Sequence, residues 1–173
     1  SVGGELGVPH LSAYSSAKFA QIGFAEALRA EVARDGVRVV AVAPGLMRTG
    51  SHVHATFHGQ PERELAWFGA SAMAPLMSID AERAARHILR AIARGERYLT
   101  FTPAARLGIW LHDAAPNLFA FAAAAIARAL PAAKGVATRS HAQEGTEVFR
   151  DSPSTLVRWI ASWSAPLVAK NGQ

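Results

Sequence analysis

The chain has 173 residues, half of them apolar and 18% charged, enough for one ordinary domain with a real core and too apolar for wholesale disorder. It contains no cysteine, which excludes disulfide scaffolds, thiolate zinc sites and cysteine nucleophiles. The formal charge of +5 is thinly spread: residues 1–60 carry five basic and four acidic groups, 61–100 six and five, and 101–173 seven and four. With no basic run or aromatic-interleaved basic patch, no nucleic-acid partner is expected.

Residues 1–11, rich in Gly and Pro, read as a loop with neither the basic start nor the apolar stretch of a signal peptide. A chain opening on Ser1-Val2-Gly3-Gly4 reads as the middle of something, and a cytoplasmic location is expected. Ser12 is a candidate cap for a helix running to about Asp35, with Phe19, Ile22, Leu28 and Val32 as its apolar positions and Gly36 as its left-handed stop. Val37 to Ala43 is a short β-branched run ended by Pro44-Gly45, the pattern of a strand buried on both faces of a parallel sheet. From Leu46 to about Met77 the pattern is irregular and predicts a mobile lid or long loop with short helices. Asp80 opens a second helix, Ala81 to Arg94, with Ala85, Ile88, Leu89 and Ile92 on one side and Gly95 as its stop. Tyr98 to Thr102 reads as a strand ended by Pro103. Two apolar helical stretches follow, about 104–113 and 117–130, broken at Pro116. Residues 134–153 read as exposed polar loop, and a last amphipathic helix starts near Ser154 with Leu156, Trp159, Ile160 and Trp163. The longest unbroken apolar run, Leu118 to Ala127, has ten residues, against the roughly 20 a membrane span needs. It is read as core packing or an oligomer contact, and no membrane partner is expected.

Three reactive side chains lie close in sequence: Ser1, Tyr14 and Lys18. Tyr14 and Lys18 are four apart on a predicted helix and project from the same face. A free tyrosine ionises near pH 10, too high for ready proton exchange at neutrality. A fixed ammonium within a few Å favours the phenolate form. A nearby serine hydroxyl can hold a substrate oxygen by hydrogen bonding, so the three together form a device for moving a proton on or off a carbonyl or alcohol oxygen.

These residues carry a resemblance. Tyr14-Ser15-Ser16-Ala17-Lys18 resembles the YxxxK motif of the short-chain dehydrogenase/reductase family, Ser1 lies thirteen residues before the tyrosine, and Pro44-Gly45-Leu46-Met47-Arg48-Thr49 resembles the family's PG-x-x-x-T segment. The resemblance implies an α/β fold, a three-layer Rossmann-type parallel sheet of which this chain supplies the last strands. Residues 1–103 would be the C-terminal portion of that domain and 104–173 a helical extension. It implies an NAD(P)-dependent oxidoreductase interconverting a carbonyl and an alcohol. Tyr14 would be the general acid/base, Lys18 would hold the nicotinamide ribose and ease proton loss from the tyrosine, and Ser1 would orient the substrate. Pro44, Gly45, Leu46 and Thr49 would line the nicotinamide pocket. A homo-oligomer is expected when full length, because the helix bearing the tyrosine often packs on a second subunit in this family.

The family's glycine-rich phosphate turn, its NAG segment and its catalytic asparagine are not among these 173 residues. Gly3, Gly4 and Gly7 follow no strand and are not read as a phosphate loop. The chain is therefore expected to be the C-terminal part of a longer reductase, inactive without the N-terminal half. The choice between NAD and NADP is not readable. The rival expectations are an inactive fragment acting as a folding or interaction module, and a lipid-surface-binding helical module. Trp67 and Phe68 could line an apolar substrate pocket or equally pack the lid onto the body. His52, His54 and His58 lack a spacing that fixes a coordination geometry, so no metal is expected.

Overall fold

The computed structural model describes residues 1–57, 60–74, 76–131 and 142–170. A 3₁₀ turn at Val2–Gly4 precedes α1 (Ser12–Glu31), a second 3₁₀ turn (Val32–Asp35), β1 (Ala41–Val42), β2 (Leu46–Arg48), a third 3₁₀ turn (Ser51–Val53), β3 (Thr56–Phe57) and α2 (Pro61–Met73). Then follow β4 (Ser78–Asp80), α3 (Ala81–Arg94), β5 (Tyr98–Leu99), α4 (Pro103–Ala114), α5 (Pro116–Ala129), β6 (Gln143–Glu144), α6 (Gly145–Asp151) and α7 (Thr155–Lys170). The strands pair as β1–β5, β2–β4 and β3–β6, three two-stranded sheets among the described residues. The chain is thus α/β but mostly helical, and the continuous three-layer sheet is not formed by these residues. No helix among them is long and apolar enough to cross a membrane.

The chain divides into two compact units, residues 1–47 with 75–127, and residues 48–74 with 128–173. In the first, local signals act much as the residues suggest. Gly36 and Gly95 stop their helices at φ 71° and 70°, a left-handed conformation that a side chain disfavours. Asp80 caps α3 by accepting from the Glu82 and Arg83 N–H groups at 3.0 and 3.4 Å. Ser12 does not cap α1. It is the first helical residue, after Leu11, whose side chain offers no acceptor.

The β1–β5 pair is parallel, with Ala41 opposite Tyr98 and Val42 opposite Leu99. Of the expected Val37–Ala43 strand only these two residues near its C-terminal end form β1, and Val37 is exposed. A strand needs a neighbour to persist, and β5 is only two residues long; the Val39 carbonyl is instead met by Arg29 Nε at 3.0 Å. On α3 the expected apolar side is not the buried one: Ala84 and Ala91 are buried, while Leu89 is 67% exposed. The core-packing expectation for Leu118–Ala127 is likewise not met, since α5 has no buried residue.

In the second unit the expected lid carries α2, and the described part of the expected 134–153 loop carries β6 and α6; residues 134–141 lie outside the described residues. Leu65 and Gly69 of α2, Val148 of α6 and Val157 and Ile160 of α7 supply its buried interior, closed by Phe57 and flanked by Phe68 and Phe149. Each fully buried Leu or Ile contributes about 1.5–3 kcal/mol. Glycines make the approach possible: a Cβ at Gly69 would lie 2.7 Å from Ile160 Cγ2. On α7, Leu156, Trp159 and Trp163 face outward, so of the four expected apolar positions only Ile160 is buried.

Candidate active site

Tyr14 and Lys18 rise from the first turns of α1, one helical turn apart. Lys18 Nζ stands 5.6 Å from the Tyr14 ring centroid and donates to Gln21 Oε1 at 3.1 Å. Tyr14 is 43% exposed, so its ring is open to a ligand. Ser1 caps the first 3₁₀ turn, its Oγ accepting the Gly3 N–H at 3.2 Å. Gly3 lies between the two side chains: a Cβ there would be 3.1 Å from Tyr14 Cε1 and 3.5 Å from Ser1 Oγ.

The turn is fastened on two sides. The Val2 N–H donates to Pro44 O at 2.7 Å, which brings the Pro44-Gly45 turn to Ser1. Gly4 packs on the α1 backbone, where a Cβ would sit 2.7 Å from Lys18 O. Gly45 closes against α4: a Cβ would meet Thr102 Oγ1 at 2.7 Å, the same oxygen that caps α4 at the Ala105 N–H. Ser1, Tyr14, Lys18, Pro44 and Gly45 are therefore assembled within the first unit, and Leu46 follows as the start of β2. Thr49 belongs to the second unit, where its Oγ1 accepts the Ser51 N–H at 3.4 Å.

Residues 1–57 match the profile of the family described as short chain dehydrogenase. A dehydrogenase/reductase SDR family protein 7-like from Anopheles gambiae is 36% identical over 121 residues, which is 69% of this chain and 36% of that protein. A dehydrogenase/reductase SDR family member 7B from Xenopus laevis is 32% identical over 143 residues, 82% of this chain and 42% of that protein. The chain belongs to the short-chain dehydrogenase/reductase family. A putative oxidoreductase SadH of Mycobacterium tuberculosis is 41% identical over 99 residues, 56% of this chain and 35% of that protein. The chain thus spans well under half the length of the curated relatives it matches. No solved structure matches it significantly.

This short-chain dehydrogenase/reductase chain has only one other tyrosine, and its setting differs. Burial holds the Tyr98 phenol well above its ordinary pKa, reinforced by the Glu5 charge, a hydrogen bond to Glu5 and the Asp113 charge. It stays protonated and donates to Glu5. The Glu5–Tyr98 contact joins residues 93 positions apart and left no mark in the sequence. A cleft of about 650 Å³ in the same unit is lined by Ser12, Ser16 and Phe19 of α1 and Ala123 and Ala127 of α5, among others; Tyr14 and Lys18 do not line it.

The two aromatic candidates separate within the second unit. Phe68 packs against the core cluster, its ring 6.4 Å from those of His52 and Phe57, whereas Trp67 remains 46% exposed. Of the histidines, His58 lies outside the described residues. His54 Nδ1 stands 3.1 Å from Glu144 Oε1, and His52 is 2% exposed with Nε2 2.5 Å from Ser164 Oγ. No group of three His, Cys, Asp or Glu among the described residues could hold a metal ion.

The single Ser164 proton goes to Ile160 O at 2.7 Å, so the Ser164 oxygen accepts the His52 Nε2–H. The edges of Phe68 and Phe149 close over the imidazole, and burial holds its pKa below the ordinary value. The unfolded chain therefore binds a proton here that the folded chain resists. Stability from this site is full above about pH 6.5 and is lost as pH falls toward the depressed folded value. Urea midpoints measured from pH 8 to pH 5 should decline below that point, and His52→Gln should flatten the decline. An equal decline in the variant would show that other groups set the acid limit.

Proposed function

We propose that this chain carries the proton-transfer centre and nicotinamide-side pocket of an NAD(P)-dependent oxidoreductase that interconverts a ketone or aldehyde with its alcohol. The observation that carries the reading is the convergence of Ser1 and Tyr14 on Gly3, with Lys18 Nζ 5.6 Å from the Tyr14 ring centroid and the Pro44 carbonyl bonded to the same turn. The residues fit the nicotinamide-ribose end of such a cofactor: an exposed phenol and an ammonium share one helix face, and the Pro44 carbonyl is bonded to the turn that Ser1 caps. Lys18 would hold the ribose hydroxyls, and Pro44, Gly45 and Leu46 would line the nicotinamide pocket. When bound, the cofactor supplies or accepts the hydride.

The residues of the chain supply the rest. In the reducing direction the Ser1 hydroxyl donates a hydrogen bond to the substrate carbonyl oxygen and fixes its position. The Tyr14 O–H bond breaks, its proton goes to that oxygen, and the Lys18 ammonium offsets the phenolate charge left behind. Alcohol oxidation runs the same transfer backwards. We assign residues 1–103 to the last part of a Rossmann-type domain and 104–173 to a helical extension. The exposed Phe19 and Phe24 of α1 suit a contact with a second subunit.

Lys18→Ala, in the protein that carries this chain, tests the assignment. Loss of a charged donor is worth about 1.5–3 kcal/mol, so the cofactor Kd should rise about tenfold or more. A rise in substrate KM with cofactor affinity unchanged would refute the role of Lys18. Titration with NADH and with NADPH, followed by nicotinamide fluorescence, reads the effect and distinguishes the two cofactors.

A further inference from the structure

We propose that Gly3 is a positioning residue for the two reacting side chains, its N–H holding the Ser1 hydroxyl oxygen and its bare α-carbon seating the Tyr14 ring. The inference rests on the proton-transfer reading above and adds the residue that sets its geometry. The Gly3 N–H donates to Ser1 Oγ at 3.2 Å, which occupies a lone pair and leaves the hydroxyl proton for a substrate oxygen. On its other side the same residue abuts the tyrosine. A Cβ would lie 3.1 Å from Cε1 and 3.5 Å from Cδ1, the ring edge leading to the phenol oxygen.

The turn cannot step aside to make room. Val2 is held to Pro44 O at 2.7 Å, and Gly4 is seated on the Lys18 carbonyl with no space for a side chain. A methyl group at Gly3 therefore acts on the tyrosine ring, which is free to yield because Tyr14 is partly exposed. The required movement is small, a few tenths of an ångström, since 3.1 Å is tighter than an ordinary carbon contact rather than a collision with backbone. A shift of that size leaves the fold standing and changes the position of the phenol oxygen relative to the Ser1 hydroxyl. Proton transfer depends on that alignment, and cofactor binding through Lys18 does not.

Gly3→Ala provides the test, with Gly23→Ala as the control because a Cβ there meets nothing within 4 Å. The chain has two tyrosines, so ¹³C-tyrosine NMR reads both rings, and Tyr14→Phe identifies which signals belong to Tyr14. The Tyr14 ring signals should move in Gly3→Ala and stay in place in Gly23→Ala. In the protein that carries this chain, Gly3→Ala should lower kcat about tenfold with cofactor Kd unchanged, and should add nothing in a Tyr14→Phe background. Unmoved Tyr14 signals, an unchanged kcat, or a Gly3→Ala chain that no longer folds would each overturn the proposal. Full turnover in Tyr14→Phe would instead overturn the proton-transfer reading, and this inference with it, even where the ring signals move.

Discussion

Tyr14→Phe should lower turnover by about 10²- to 10⁴-fold, the range general acid/base catalysis contributes, while cofactor affinity stays close to that of the parent protein. The substitution removes one oxygen and leaves the ring packed against Gly3. Lys18 Nζ keeps its hydrogen bond to Gln21 at 3.1 Å, so the ammonium proposed to hold the ribose is not disturbed. Without the phenol, the developing alkoxide has the Ser1 hydroxyl as a hydrogen-bond donor but no proton source within the site. Steady-state rates with a carbonyl substrate, together with a cofactor titration, separate the two effects. A kcat equal to that of the parent would remove Tyr14 from the chemistry. A parallel loss of cofactor binding would show that the phenol positions the cofactor and does not only deliver a proton.

The largest structural effect is expected at Gly145, the first residue of α6. A Cβ there would lie 2.3 Å from His52 O and 2.7 Å from Val53 O, distances that real Cβ atoms do not show. Both are backbone atoms of a 3₁₀ turn, and the Gly145 N–H is itself tied to Ala55 O at 2.9 Å. No side-chain rotation relieves the clash, so the turn and α6 must separate. Gly145→Ala should cost the second unit about 3 kcal/mol, the upper end of typical overpacking. Gly23→Ala should go the other way by about 0.5–1 kcal/mol, since it adds helix propensity in the exposed middle of α1. Urea unfolding followed by tryptophan fluorescence reports this unit through Trp67, Trp159 and Trp163. A Gly145→Ala midpoint equal to that of the parent chain would show that the turn carrying His52 yields without cost.

Much of the first unit could be read from neighbouring residues alone. Gly36 and Gly95 ended helices where their left-handed tolerance placed them, Asp80 capped α3, and Pro116 separated α4 from α5. The second unit was far less legible. In α2 the inward positions Leu65, Gly69 and Ala72 include only one large apolar residue, so the helix has little hydrophobic period to detect. In α6 the buried residues are Gly145 and Val148, inside a stretch whose only other apolar side chain is Phe149. Strand lengths were overstated for a different reason. Val37 to Ala43 has the β-branched composition of a buried strand, but pairing depends on a partner, and β5 offers Tyr98 and Leu99. The apolar faces of α3, α5 and α7 were legible as apolar, yet Leu89, Phe121, Trp159 and Trp163 are exposed. Periodicity shows which residues share a face and does not show whether that face is covered.

By itself the sequence determined that Tyr14 and Lys18 share one face of a helix, because a spacing of four is set by helix geometry and needs nothing distant. The Ser1, Pro44-Gly45 and Thr49 spacings likewise determined the family resemblance. Only the tertiary structure decided that Gly3 lies between Ser1 and Tyr14, that the Pro44 carbonyl accepts the Val2 N–H, and that His52 is buried against Ser164, 112 residues away. Those contacts arise where backbones approach closely enough to exclude a Cβ or to desolvate an imidazole. Such approach depends on how whole elements pack, which local propensity and hydrophobic period do not encode.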